Sequence, residues 1–199
     1  MSWRGTQTRF TYAHRVLAIV PFRGLDGAKT RLAAVLPPEE RARLADEMLE
    51  RVLVACEGAN SIRRTLLVTP DPSARRSGVD VLVDDGTGHA AAVALALADP
   101  RLQDGAVVVM ADCPLVEPES LDALVAAARP LSLVPARDGG VNALALRDPA
   151  AFRPGFGVPA ADTVARARAV GIEPAILDDE RLSLDVDRPE DYELALARL

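Results

Sequence analysis

The chain has 199 residues, 49% of them hydrophobic, and a formal net charge of −6, which is enough apolar content for one domain with a sizeable core. That acidic balance excludes a broad electrostatic footprint for nucleic acid, and the longest early apolar run, residues 16–20, is too short for a membrane span or a signal core. Cys56 and Cys113 are the only cysteines, with no CxxC pair or Cys/His cluster to hold zinc, so a soluble protein of a reducing cytoplasm is expected.

Residues 1–14 are polar and without periodicity, and read as a flexible leader to a domain over 15–199. Residues 16–20 form the first strand, closed by Pro21. The loop that follows carries Gly24 and Gly27 and concentrates Arg23, Lys29 and Arg31 near a strand end. A glycine-bearing turn lets backbone N–H groups approach an anion while nearby cations neutralise it, although neither a Walker sequence nor G-x-G-x-x-G is present. Over residues 38–56, Leu44, Met48, Leu49, Val52, Leu53 and Cys56 recur at helical spacing opposite Glu and Arg, which predicts a covering helix.

Residues 65–69 and 79–83 are the next strands, stopped by Pro70 and by Asp84-Asp85-Gly86. A helix is expected over 89–97, with His89 as its starting residue, and the acidic turn before it could accept hydrogen bonds from a base or a ribose. Residues 107–111 are continuously apolar and end in Asp112. Such a run reads as a strand buried on both faces of a parallel sheet, and the carboxyl edge of that sheet is where ligands bind in open α/β folds. Pro114 fixes the chain's exit from this strand. A helix over 117–128, strands over 131–135 and 141–146 joined by a hairpin-like turn, and a helix over 161–170 follow, so the sheet is expected to be mixed. The last strand is predicted over 182–186, where alternation puts Asp185 and Asp187 on one face. Pro189 opens a final helix, for which Asp187 and Glu190 form a capping box. Asp185 has no such structural task.

These residues carry a family resemblance. I-V-P-F at 19–22, A-K-T-R-L-A at 28–33, P-E-E-R at 38–41, M-A-D-C-P-L at 110–115, N-A-L at 142–144, F-G at 156–157 and D-V-D-R-P-E-D at 185–191 resemble, in order, the 2-phospho-L-lactate or phosphoenolpyruvate guanylyltransferases of coenzyme F420 biosynthesis. Those enzymes sit within the nucleotidyltransferases that resemble molybdenum-cofactor guanylyltransferase. The resemblance implies one α/β Rossmann-like domain of nucleotide-diphospho-sugar transferase type, with a mostly parallel mixed sheet and helices on both faces. It also implies a GTP donor, Mg²⁺, and a small phosphorylated acid as acceptor, 2-phospho-L-lactate, phosphoenolpyruvate or 3-phosphoglycerate. Carried onto this chain, Lys29, Arg31 and Asp112 are catalytic, and Pro21, Arg23, Lys29, Arg31, Asp85 and Gly88 bind the nucleotide. Asn142 and Gly157 bind the acceptor, and Asp112, Asp185 and Asp187 hold the metal. The chain departs from the family pattern at His89, Val141 and Ala160, the last two in the acceptor half. Alternatives are therefore a nucleotidyltransferase for another acceptor, such as a sugar phosphate or a pterin cofactor, or a nucleotide-binding paralogue with little turnover. A homodimer is compatible with the sequence, and neither nucleic acid nor membrane is expected as a partner.

The absence of a histidine or cysteine base agrees with that chemistry. A phosphate monoester with a second pKa of about 6 is already ionised at neutral pH and can attack without a base. What such a transfer needs is relief of repulsion between two anions.

Overall fold

A computed structural model describes residues 15–102 and 104–199; the leader expected over 1–14 lies outside the described residues. The elements are β1 (Val16–Pro21), α1 (Pro38–Gly58), β2 (Ile62–Thr69), β3 (Val79–Val83), α2 (His89–Ala96), β4 (Ala106–Val109), α3 (Pro118–Ala127), β5 (Leu131–Pro135), β6 (Val141–Leu146), α4 (Ala160–Ala169), β7 (Ala175–Ile176) and α5 (Pro189–Leu196). They build one seven-stranded sheet of order β3-β2-β1-β4-β6-β5-β7. β6 runs antiparallel to both β4 and β5, and the other pairs are parallel. The mixed sheet and the hairpin-like turn are as expected.

Alternation along the strands sends side chains to two separate helical layers. On one face Val16, Ala18, Val20, Val107, Val109, Ala143 and Ala145 pack with Leu49, Val52, Leu53 and Cys56 of α1 and with Leu121, Leu124 and Val125 of α3. On the other, Leu17, Ile19, Ala106, Val108, Leu144 and Leu146 pack with Ala92, Val93 and Ala96 of α2 and with Val164 and Ala167 of α4. Being buried on both faces explains why β1 and β4 read as continuous apolar runs. Full burial of a side chain such as Ile19 contributes about 1.5–3 kcal/mol. Both cysteines are free and buried. Among the described residues no helix is long and apolar enough to cross a membrane.

β1 is the switch point of the sheet. The chain moves outward from β1 to β2 and β3, then returns to lay β4 on the opposite side of β1. Loops leaving the carboxyl ends of β1 and β4 therefore diverge and open a crevice between them. β6 brings its amino end to the same place because it is antiparallel: Val109 pairs with Ala143, and Met110 N–H donates to Asn142 O at 2.9 Å.

Two expectations near the carboxyl terminus are corrected. Residues 182–186 form no strand, since their backbone bonds go singly to different elements rather than to one neighbouring strand. Val186 N–H donates to Asp112 O at 3.0 Å, while Ser183 O accepts from Arg137 N–H at 3.1 Å. The alternation itself holds, with Leu182, Leu184 and Val186 buried and Asp185 and Asp187 on the opposite side. The capping box also shifts by one residue. Pro189 occupies the first turn with Arg188 as N-cap, so the acceptor for the free N–H of Arg188 is Asp191, at 2.9 Å, which also takes Asp187 N–H at 3.3 Å. Neither Asp187 nor Glu190 caps the helix, and the Asp187 carboxylate is left for other partners.

Candidate active site

The loop after β1 folds into a short 3-10 turn, Thr30–Leu32, whose preceding residue Lys29 has φ 49° and ψ 46°. This left-handed conformation costs a non-glycine residue roughly 1–2 kcal/mol. Leu32 anchors the turn from below. It is fully buried in a small cluster with Met48, Leu184, Val186 and Ala195, so shared apolar packing joins the Lys29–Arg31 loop to the segment that carries Asp185 and Asp187.

The side chains above that cluster converge. Lys29 Nζ lies 2.5 Å from Asp112 Oδ2 and 2.9 Å from Asp187 Oδ1, and Arg31 reaches Asp187 Oδ2 at 2.7 Å. Arg31 is 64% exposed, so its pairing contributes little to stability. Carboxylate oxygens of Asp112, Asp185 and Asp187 all lie within 4.8 Å of one another. Asp185 is approached from behind by Asn142, whose amide donates to Asp185 Oδ1 at 3.0 Å and to Ser183 O at 3.1 Å.

The electrostatics follow from this packing. Burial pushes the Lys29 ammonium toward its neutral form, but Asp112 and Asp187 outweigh it and the pKa is raised. Burial pushes Asp187 the other way, yet Lys29, Arg31 and His89 hold it below the usual carboxylate value. Among the described residues no cation is bonded to Asp185. Burial, with the charges of Asp112 and Asp187, lifts it to about 6 against the hydrogen bond from Asn142. Three carboxylates within reach of one another, one of them raised by burial and by the charges of the other two, supply the hard oxygen donors that Mg²⁺ or a similar divalent cation takes, so the residues present fit such an ion.

A cavity of about 630 Å³ opens beside these groups, lined by Pro21, Arg23, Lys29, Arg31, His89, Asp112 and Asp187 among others. It joins the expected catalytic residues with most of the expected nucleotide residues. Asp85, Gly88, Asn142, Gly157 and, of the acidic trio, Asp185 do not line it. Asp85 closes its own turn, accepting from Thr87 N–H at 3.1 Å and Thr87 Oγ at 2.7 Å, and Gly88, at φ 135°, is the N-cap of α2. Gly157 lies in the loop before α4, whose first residue Ala160 donates to Gly139 O at 2.8 Å. The two acceptor-half departures, Val141 and Ala160, are the first residues of β6 and α4, and this bond brings the start of α4 to the turn that leads into β6. Asn142 stands behind Asp185, with both amide hydrogens already committed.

His89 is the residue whose position the sequence reading undervalued. It starts α2 as expected, but it also lines the cavity. Burial holds its pKa below the ordinary value, the nearby charges of Arg23 and Lys29 adding to the effect and those of Asp112 and Asp187 opposing it. The available signal was its place directly after Gly88 at the carboxyl edge of the sheet.

A mixed α/β sheet with a basic loop and an acidic trio at its switch point is the architecture of nucleotide and nucleotidyl transferases. The fold is similar to that of a protein from Desulfovibrio desulfuricans G20 named for nucleotide-diphospho-sugar transfer, with a TM-score of 0.73 at 18% identity over 90% of this chain and 85% of that one. The family model described as "Guanylyl transferase CofC like" matches residues 16–197, and the chain belongs to that family. It is 39% identical to the phosphoenolpyruvate guanylyltransferase of Sphaerobacter thermophilus, over 89% of this chain and 90% of the relative. It is 37% identical to the 3-phospho-D-glycerate guanylyltransferase of Phenylobacterium zucineum, over 87% and 86%. The protein is accordingly a nucleotidyltransferase of the guanylyltransferase type.

Proposed function

We propose that the protein transfers GMP from GTP to a small phosphorylated acid, with release of pyrophosphate, as a step of coenzyme F420 biosynthesis in the cytoplasm. The observation that carries this reading is the meeting of Lys29 with Asp112 and Asp187, at 2.5 and 2.9 Å, on the wall of a cavity that also holds Arg23 and Arg31. That is an arrangement for a polyanion together with a cation. In this reading an oxygen of the acceptor's phosphate bonds to the α-phosphorus of GTP while the bond to the β-phosphate oxygen breaks, and pyrophosphate leaves with that electron pair.

Asp112, Asp185 and Asp187 would hold Mg²⁺, which when bound supplies charge neutralisation at the phosphates. Arg23, Lys29 and Arg31 act on the triphosphate, Lys29 as a point charge and the arginines as planar forks. Backbone N–H groups of the loop after Pro21 add donors without charge. His89 stands at the cavity wall, where burial holds its pKa below the ordinary value and so disfavours the charged imidazolium. The acceptor carries both a carboxylate and a phosphate, and it approaches from the side of Gly157 and Val141. Phosphoenolpyruvate, 3-phospho-D-glycerate and 2-phospho-L-lactate are the three candidates, by the names of relatives and the motifs above.

The direct test incubates the protein with Mg²⁺, each nucleoside triphosphate and these three acids, following pyrophosphate. Release that requires GTP and one of the acids is expected. Release driven by a sugar phosphate instead, or no release with any acid, would overturn the reading of the acceptor.

A further inference from the structure

The ammonium of Lys29 stands where a divalent cation would be drawn. It is bonded to two of the three carboxylates that form the acidic trio. Its side chain is only 12% exposed, against 34% for Asp187, so the contact is shielded from solvent. The backbone at Lys29 is held at φ 49°, a conformation that persists where surrounding contacts enforce it. The same residue lines the cavity that holds Arg23 and Arg31, and its four-carbon stem is flexible.

From this geometry we infer that Lys29 is the exchanging group of the site: it neutralises Asp112 and Asp187 in the nucleotide-free protein, and nucleotide phosphates admit the metal by drawing Lys29 away from them. This rests on the metal and nucleotide roles proposed above. A 2+ ion on Asp112 and Asp187 meets a 1+ charge already bonded to both, in a partly dry site where their repulsion is weakly screened. Removing the ammonium to the phosphates relieves that repulsion and adds an attraction on the nucleotide side. Nucleotide and metal are then coupled through one residue, and by linkage each strengthens the other equally. Arg31 is not equivalent, since of the three carboxylates it pairs with Asp187 alone, and from an exposed position.

The test measures Mn²⁺ binding to the metal-free protein by paramagnetic resonance, without nucleotide, for the parent and for Lys29→Met, Lys29→Gln and Lys29→Arg, with thermal unfolding to confirm that each is folded. Lys29→Met and Lys29→Gln should bind Mn²⁺ about tenfold more tightly than the parent, and Lys29→Arg should not, the scale being that of ordinary coupling between sites. Adding GTP should tighten Mn²⁺ binding more in the parent than in Lys29→Met. If the uncharged variants bind Mn²⁺ equally or more weakly while the parent binds it normally with GTP, Lys29 does not compete with the metal and the inference is wrong. If no variant binds Mn²⁺ even with GTP, the metal role of the three aspartates fails, and this inference falls with it.

Discussion

Asn142 holds Asp185 from behind. Its amide nitrogen donates to Asp185 Oδ1 at 3.0 Å and to the carbonyl of Ser183 at 3.1 Å, and the residue is only 4% exposed. The carboxylate most in need of a cation is thus aimed by a neutral donor rather than by a counter-charge. Asn142→Leu should leave Ser183 O with one bond fewer and Asp185 free to rotate. We expect a loss of about 1–3 kcal/mol of stability and a 10–100-fold loss of metal affinity. Chemical denaturation and Mn²⁺ titration measure the two effects separately; unchanged Mn²⁺ affinity would remove Asn142 from the site.

Asp112 lies in the turn that follows β4, which ends at Val109 rather than at the expected residue 111, touches Lys29 and belongs to the acidic trio. Asp112→Asn keeps the shape and removes the charge, so the fold should persist while kcat falls by about 10²-fold or more, the usual scale for one electrostatic element. Near-parental kcat with Mg²⁺ would contradict the assignment.

The capping of α5 now assigns different effects to two neighbouring aspartates. Asp191→Ala removes the acceptor for Arg188 N–H and should cost about 0.5–2 kcal/mol of stability with little change in activity. Asp187→Ala instead leaves Arg31 without its carboxylate and Lys29 with Asp112 alone and should act mainly on activity. Melting temperatures and initial rates of both variants decide between this and the reverse pattern.

Asp185 sets a pH dependence of the metal-free protein. Its folded pKa, about 6, lies above the ordinary 3.8, so the fold favours the protonated carboxyl. That contribution is complete below pH ~4 and is lost as pH rises through ~6. Between those limits the parent should lose on the order of 1 kcal/mol relative to Asp185→Asn, the full Coulombic value being reduced by solvent screening. Urea denaturation at both pH values in chelator checks this, and parallel curves for the two proteins would count against it.

Much of this architecture was written in local sequence. Period-two and period-3.6 patterns located β3, β5 and β6 at their observed bounds, and α1, α2, α3 and α4 to within a residue or two, because a side chain's burial repeats with the geometry of its own element. Asp112 could be placed at a ligand-binding edge because a buried parallel strand that ends in a carboxylate has few other uses for it. The motif at 28–33 and the one at 185–191 supplied the nucleotidyltransferase reading.

What only the tertiary structure decided is which of these charges meet. Residues 182–186 alternate like a strand, and alternation is all that sequence periodicity registers; whether the backbone pairs with one neighbour or with Asp112, Arg137 and Asn142 in turn depends on elements distant in the chain. Asp187 looked like a helix cap until Pro189 set the first turn one residue later and Asp191 took that role. Lys29 and Asp187 stand 158 positions apart and are brought to 2.9 Å by burial of Leu32 against Leu184 and Val186. His89 likewise became part of the cavity wall only because α2 starts at the edge where β1 and β4 diverge. Sequence determined the elements and the residue types of the site, since both are local; the neighbours of each charge were decided by long-range apolar packing, which no local pattern encodes.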